Sequence, residues 1–134
     1  MRVVFDTNIF ISALAIPGGM AEKAVLKVIE GHDELVISPQ IIKKLLSVLS
    51  TKFGRDREAL SHVAVILSEL GELVEPKQTL RVLKDDPDNR ILECARFGRA
   101  DAIVTGDKVM LRLGDYRRIK IVSLREYLEY ISLQ

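Results

Sequence analysis

Three aspartates of the 134-residue chain lie where the sequence predicts the ends of buried strands or the start of a helix. Asp6 and Asp107 follow short apolar runs, and Asp88 comes just after a proline-containing helix start. In an open parallel sheet, ligands bind in the crevice beyond the carboxyl ends of the strands. Carboxylates gathered there repel one another unless a proton or a hard cation such as Mg²⁺ offsets their charge. The pattern therefore indicates a metal site of the kind that cleaves phosphodiesters.

Each of these aspartates also has a simpler interpretation at a helix start. Asp6 and Asp107 can cap the helices that follow them, and Asp88 can lie in a first turn, where the helix dipole favours anions. Three independent caps need not all lie at one edge of a small sheet, so the group as a whole favours a site. Asp85 has no assignment from the sequence, and Asp101, which precedes a predicted strand, is interpreted as structural.

The elements that must position these side chains alternate between strand and helix. Apolar and β-branched runs predict strands over residues 3–5, 35–37, 73–74, 102–104 and 120–122. Helical spacing and start signals predict longer helices over residues 21–29, 39–49, 56–70 and 87–97 and from 124 onward, with short ones after Asp6 and Asp107. Repeated strand-then-helix units imply a parallel sheet with helices on both faces. We expect one domain over residues 1–134, an α/β/α sandwich in three layers with a central parallel sheet of four to five strands.

Composition excludes several classes of function. The chain has 20 basic and 19 acidic residues and a net charge of +1, so it is not a polycation that binds nucleic acid through bulk charge. No apolar run reaches the roughly 18 residues of a membrane span. The single Cys94 has no internal disulfide partner and is interpreted as a core residue, which favours a cytoplasmic location. Neither His32 nor His62 has a partner at metal-ligand spacing, and no phosphate-binding glycine loop is present.

The motifs resemble those of a known family. Asp6-Thr7-Asn8, the helix that opens with Ser38-Pro39, the segment from Asp86 to Ala95 and the segment from Ala100 to Asp107 are together similar to the PIN domain. The resemblance covers residues 2 to about 130 and is greatest to the small prokaryotic branch that supplies toxins of toxin–antitoxin pairs. The DTN start combined with the VTGD ending at this spacing is specific, whereas either alone would be weak.

The resemblance implies both a chemistry and a set of residues. It implies an α/β/α fold and Mg²⁺- or Mn²⁺-dependent endoribonuclease activity, with Asp6, Asp88 and Asp107 as the catalytic and metal-binding residues. Positions matching the polar groups around that site are Thr7, Asn8, Ser38 and Thr105. It also implies RNA as the substrate, a cognate antitoxin and a homodimer. The apolar residues near the carboxyl end that are candidates for a dimer contact, or equally for the core, are Leu111, Leu113, Leu128 and Ile131.

One position departs from the family pattern. PIN domains usually carry a glutamate on the helix after the second strand, and this chain has Lys44 there. An ammonium group in the crevice would neutralise part of the acidic cluster and compete with a cation for it. Alternatively, Lys44 extends outward to water, as lysine side chains readily do. Because a second cation would be harder to hold beside a lysine, we expect one Mg²⁺ bound by the three aspartates, with Thr105 and Asn8 orienting ligands or water.

Two other functions are compatible with parts of the sequence. A catalytically degenerate PIN domain would keep the fold and serve as an RNA- or protein-binding scaffold, with Lys44 in the place of the metal. A phosphoryl-transfer or receiver domain would need a nucleophilic aspartate in a pattern such as DxDxT, which the residues from Asp6 to Phe10 do not supply.

Overall fold

Six strands form one sheet in the computed structural model, which describes residues 1–132, with side chains described through residue 130. They are β1 (Arg2–Phe5), β2 (Glu34–Ile37), β3 (Glu72–Leu73), β4 (Ala102–Val104), β5 (Asp115–Tyr116) and β6 (Ile119–Val122). Their order across the sheet is β3-β2-β1-β4-β6-β5. Every neighbouring pair is parallel except β5 and β6, which are antiparallel. The predicted fold class, a mainly parallel sheet flanked by helices, is confirmed.

Seven helices connect and cover the strands. They are α1 (Thr7–Ala15), α2 (Met20–Ile29), α3 (Pro39–Phe53), α4 (Arg57–Leu70), α5 (Asp86–Phe97), α6 (Lys108–Leu113) and α7 (Leu124–Ser132). No single one of these helices is long and apolar enough to cross a membrane. The pair α1 and α2 meets the length and composition criteria jointly, but the chain bends by 107° between them.

The centre of the sheet is covered on both faces. Successive side chains of a strand point to opposite faces, and Val3, Val4 and Phe5 are all buried, so both faces of β1 carry helices. On one face the ring of Tyr127 from α7 lies edge-on to Phe5, with 5.7 Å between the ring centroids. Helix α5 packs across β1, β2 and β4. The two central strands are therefore held between helices, which fixes the positions of the residues at their ends.

Helix start signals in the sequence act as expected. The Ser38 hydroxyl accepts a hydrogen bond from the Ile41 N–H (3.3 Å), with Pro39 in the first turn, and Asp56 caps α4 through the Ala59 N–H (2.9 Å). At α7, Ser123 and Glu126 form the reciprocal capping box that their spacing predicts, with both bonds at 3.1 Å. Such caps set where each helix begins and therefore which side chains face the sheet edge.

Strand β5 was not predicted, and it brings the sheet to six strands. It pairs with β6 through a two-residue turn in which Arg117 and Arg118 have φ values of 47° and 71°. Turns of this kind normally carry Asn or Gly because both central residues need a left-handed backbone. Two arginines give no such signal, and a two-residue strand has no measurable periodicity. The other strands begin or end within about one residue of the predicted bounds.

Two buried groups lie away from the expected site. Cys94 is fully buried, as predicted, and burial raises the pKa of its thiol to about 12. The Asp33 carboxylate is also buried, and it accepts a hydrogen bond from the Tyr127 hydroxyl (2.6 Å) and from the Met1 amino group (2.7 Å). Since a buried charge is costly unless it is paired, these two bonds hold β1, the start of β2 and α7 together.

Candidate active site

The register of the sheet brings the ends of β1 and β4 together. Phe5 is paired with Val104 in parallel register, so the residues that follow them, Asp6 and Thr105, are neighbours at the carboxyl edge of the sheet. The Asp6 N–H donates to the Val104 carbonyl (3.0 Å), which extends the ladder by one step. Two segments almost a hundred residues apart in the chain are thereby joined at one point, as the sequence predicts.

The Thr105 hydroxyl connects two of the three predicted aspartates. It donates a hydrogen bond to Asp6 Oδ2 (2.7 Å) and accepts one from the Asp107 N–H (3.0 Å). Thr105 is fully buried, and Asp6 retains only 5% of its exposed area. Both hydrogen-bonding functions of one hydroxyl are therefore used to fix the Asp6 carboxylate against the loop that carries Asp107.

Asp6 does not cap α1, although it occupies the N-cap position. Its side chain makes no hydrogen bond to the first backbone N–H groups of the helix. The interpretation of Asp6 as a helix cap is therefore wrong, because its carboxylate is held by Thr105 instead. A buried carboxylate that is held in place and not used for capping remains available to a ligand.

Asp107 does cap its helix. One of its oxygens, Oδ1, accepts from the Val109 N–H (2.7 Å) and the Met110 N–H (3.3 Å). The simpler interpretation of Asp107 is thus confirmed, and it does not conflict with a role in a site. Capping through Oδ1 leaves the second oxygen of the same carboxylate for other interactions.

The Asp88 carboxyl is buried among negative charges and has a raised pKa. It lies in the first turn of α5, as predicted, and is 5% exposed. Its pKa is raised from 3.8 to about 6, first by burial and then by the negative charges of Asp107, Asp85 and Asp6, while the Lys44 charge acts in the opposite direction. Asp88 is therefore close enough to these carboxylates to be repelled by their charge. This electrostatic arrangement is typical of a site that binds a cation or shares a proton.

The donor set around these aspartates suits a partly hydrated divalent ion. Among residues 1–132, no three Asp, Glu, His or Cys side chains are gathered closely enough to form a metal cluster as they stand. Mg²⁺, however, takes only one or two protein carboxylates and keeps several of its waters. The oxygen ligands, the Asp6 carboxylate not used for capping and the mutual repulsion around Asp88 fit such an ion. The carboxylates of Asp6, Asp88 and Asp107 are the candidate ligands for such an ion.

The other predicted polar residues have different surroundings. Thr7 is 1% exposed, and its hydroxyl has no hydrogen-bond partner, whereas Asn8 is exposed at the start of α1. Ser38 is buried and caps α3, and its hydroxyl also interacts with the Cys94 thiol. Of these positions Thr105 alone has a hydrogen bond to one of the three aspartates among the described residues.

Lys44 combines the two alternatives left open by the sequence. Its side chain is exposed, and it also lines a groove between α3 and α5 next to the aspartates, so that its charge acts on Asp88. Within the described part of the chain its ammonium group has no carboxylate partner within 4 Å. Lys44 therefore contributes positive charge at the border of the acidic cluster without forming an ion pair with it.

Sequence reasoning missed the groups that hold the loop before α5. Asn89 is buried and bonds the backbone of Val82 and Leu83, and Glu93 accepts from the Leu80 N–H (2.8 Å). Gly98, at the end of α5, packs so closely on Val36 that an added Cβ would overlap it. Asn89 and Glu93 are spaced four apart on one face of α5, which is only a weak sequence signal that they hold the preceding loop. Asp85 was also missed as part of the acidic group: its charge raises the pKa of Asp88, and its carbonyl accepts a hydrogen bond from the Asp88 N–H (3.1 Å).

Comparison with known proteins assigns the chain to a family. A family model described as the PIN domain matches residues 2–109. The chain belongs to the PIN domain family. The uncharacterized protein MJ1680 of Methanocaldococcus jannaschii is 28% identical over 141 residues, covering 96% of this chain and 90% of that protein. The resemblance stated from the DTN and VTGD motifs is thereby confirmed.

Solved structures of PIN-like chains share the fold. A chain of VapBC2 from Rickettsia felis, crystallised with a DNA fragment from its promoter, has a TM-score of 0.67 at 14% identity and covers 92% of this PIN domain and 98% of that chain. A chain of VapBC-1 from nontypeable Haemophilus influenzae has a TM-score of 0.66 at 19% identity, covering 93% and 99% respectively. At these identities the likeness shows a common fold.

Proposed function

We propose that this PIN domain is a metal-dependent endoribonuclease in which Asp6, Asp88 and Asp107 are the catalytic residues. The observation that carries the proposal is the Thr105 hydroxyl, which ties Asp6 to the Asp107 loop while both carboxylates act electrostatically on Asp88. Proteins of this family generally use divalent metal ions, and the donor set here consists entirely of the oxygen ligands that Mg²⁺ or Mn²⁺ prefers.

Each residue has a specific task in this proposal. Asp6 and Asp107 would hold the ion directly, and Asp88 would do so directly or through water. Such an ion supplies charge neutralisation at the phosphoryl oxygens and lowers the pKa of a bound water. Thr105 keeps the Asp6 carboxylate in one orientation, which is the role that hydrogen-bond partners of metal ligands commonly have. Because Lys44 stands where a fourth carboxylate is usual, we expect one ion and weakened activity.

Cleavage of a labelled RNA in Mg²⁺ or Mn²⁺ tests this function. We expect the wild type to cut the RNA, EDTA to stop it and Asp6→Asn to abolish it in a protein that remains folded. Asp115→Asn is the matched control, because Asp115 is an exposed aspartate of β5 and the same charge is removed away from the site. Full activity in folded Asp6→Asn protein, or equal losses in both variants, contradicts the proposal.

A second candidate is a catalytically degenerate scaffold that binds RNA or protein. Two observations favour it, namely the positive charge of Lys44 beside the carboxylates and the lack of a closed three-ligand cluster within residues 1–132. Mn²⁺ binding and RNA cleavage that arise only in Lys44→Glu protein would support the scaffold. Chelator-sensitive cleavage by the wild type would exclude it.

The biological setting is also a proposal. The VapBC neighbours support a toxin of a toxin–antitoxin pair with a cognate antitoxin partner. RNA as the substrate and a cytoplasmic location are proposed from the family resemblance. A homodimer is proposed as well, although Leu111, Leu113 and Leu128 are half-buried against the core, which leaves less of them for a partner. The side chain of Ile131 lies outside the described residues.

A further inference from the structure

A groove of about 510 Å³ runs between α3 and α5, directly beside the acidic site. Asp86 and Pro87 form part of its wall, so Asp88 follows immediately along α5. The polar residues that line it are Thr7, Gln40, Lys43, Lys44, Ser47, Asp86 and Arg90. Its volume lies in the range of about 300–1,000 Å³ that small-molecule and cofactor pockets occupy.

Two buried polar atoms without partners lie in the wall of this groove. In the described part of the chain, the buried side-chain polar atoms that lack a hydrogen bond are Thr7 Oγ1 and Arg90 Nε, and both residues line the groove. Folded proteins satisfy about nine in ten buried polar groups, so each exception calls for an explanation. Both atoms are shielded from solvent as the groove stands, so a ligand first meets the exposed donors of its wall, Lys43 and Lys44.

The chemistry of the lining residues specifies an acceptor. Arg90 Nε and the Lys44 ammonium group can only donate hydrogen bonds, and a hydroxyl can donate as well. One terminal nitrogen of Arg90, Nη2, is already 3.0 Å from both Asp86 and Glu93, but these pairs leave Nε unbonded. Lys43 and Lys44 have no ion pair with any described residue. Because the unpaired charges of the lining are positive and the Asp86 carboxylate is already paired with Arg90, the groove suits an anion better than a metal cation.

The floor of the groove is apolar. Its lining also includes Ile41, Val48, Pro87 and Ile91. A free inorganic anion would gain nothing from such a surface, whereas a nucleotide places its phosphate on the donors and its sugar and base on the apolar side chains. The combination favours an organic phosphate over a simple anion.

We propose that this groove binds a nucleotide of the RNA strand next to the one that is cleaved, and that Lys44 contacts its phosphate. This inference rests on the proposed ribonuclease function. Lys44 is then a substrate-binding residue at the position where the family usually carries an acidic residue. A lysine in place of the usual carboxylate removes a group that could bind a second cation and adds one that binds the RNA strand.

Binding of a fluorescent single-stranded RNA in EDTA tests the groove separately from catalysis. We expect Lys44→Gln to raise the Kd about tenfold, the value of one charge-assisted hydrogen bond. The slope of log Kd against log salt concentration should fall by about 0.7 for each phosphate of a single strand that the protein no longer neutralises. Lys52→Gln is the matched control, because Lys52 lies on the same helix, is also exposed and is not part of the groove, and it should leave Kd unchanged.

Three further variants define the chemistry. Lys44→Arg keeps the charge and should retain binding, whereas Lys44→Glu should weaken it by more than Lys44→Gln. Thr7→Val removes a hydroxyl that is shielded from the groove, at almost constant volume, so it should leave Kd unchanged and serves as a second control. These results together would establish the groove as a phosphate-binding site.

Opposite outcomes overturn the inference. Equal Kd and salt slope for the wild type and Lys44→Gln exclude the contact, and so does Lys44→Glu protein that binds Mn²⁺ more tightly and cleaves RNA faster than the wild type. The two proposals can fail independently. A wild type that never cleaves RNA but binds it in a Lys44-dependent manner would contradict the nuclease proposal and support the groove. A wild type that cleaves RNA but binds it independently of Lys44 would support the nuclease proposal and contradict the groove.

Discussion

Replacement of two buried threonines by valine should have opposite effects on stability. Thr105 and Thr7 are 0% and 1% exposed, and both lie beside Asp6, which Thr105 bonds and Thr7 follows in the chain. Valine has nearly the same shape, so each substitution removes a hydroxyl and little else. The Thr105 hydroxyl has two partners, whereas the Thr7 hydroxyl has none.

The magnitudes follow from those contacts. Loss of a hydrogen bond to a charged group costs about 1.5–3 kcal/mol, and loss of the partner of the Asp107 N–H costs about 1 kcal/mol more, so Thr105→Val should lower the free energy of unfolding by about 2.5–4 kcal/mol. Thr7→Val removes a buried hydroxyl that gains nothing from its surroundings. Its effect should lie between zero and about 1 kcal/mol of added stability.

Urea unfolding of both variants in EDTA measures these differences without any contribution from bound metal. Similar denaturant slopes for the three proteins would show that the transition midpoints report stability. Equal destabilisation by the two substitutions, or a Thr7→Val protein less stable than Thr105→Val, would refute the assignment of the Thr105 hydroxyl as the link between Asp6 and the Asp107 loop.

Three other predictions concern charge, metal and the second buried carboxylate. The pKa of Asp88 is raised from 3.8 to about 6, so in EDTA the wild type should lose stability as the pH rises through that interval. Asp88→Asn should therefore be the more stable protein above pH 6 and have no such advantage below pH 3.8. A difference in urea midpoint that does not change with pH would contradict this. Mg²⁺ at a hundred times its Kd should add about 2.7 kcal/mol to the stability of the wild type and nothing comparable to Asp6→Asn, as thermal unfolding with and without the ion will show. Tyr127→Phe removes the donor to buried Asp33 and should cost about 1.5–3 kcal/mol in urea unfolding, whereas no loss would mean that the Met1 amino group satisfies Asp33 alone.

Most of the fold follows from short-range patterns in the sequence. The Ser38-Pro39 and Ser123–Glu126 start signals lead directly to α3 and α7, because a helix cap depends on contacts within a few residues. The apolar, β-branched composition of Val3–Phe5 indicates β1, although the strand pairs with distant segments. Strand β5 could not be predicted, since its existence depends on pairing with β6 and its turn uses two arginines. The Asp33–Tyr127 bond spans 94 residues, and no local pattern indicates it.

The candidate site was predictable in outline but not in detail. The positions of Asp6 and Asp107 at neighbouring strand ends follow from the strand pattern and parallel pairing. Which aspartate caps a helix and which does not was undetermined, because the choice depends on the Thr105 hydroxyl between them. The contribution of Lys44 depends on the packing of α3 against α5, which places its charge near Asp88 and in a groove.

The central claim is that Asp6, Asp88 and Asp107 hold one divalent ion, and a crystal soaked in Mn²⁺ tests it most directly. Anomalous scattering locates manganese independently of waters and lighter ions. We expect one anomalous peak in contact with the Asp6 and Asp107 carboxylates, with Asp88 at the ion or one water away, and no peak in Asp6→Asn crystals. A peak elsewhere, or none at saturating Mn²⁺ in well-ordered wild-type crystals, would contradict the claim.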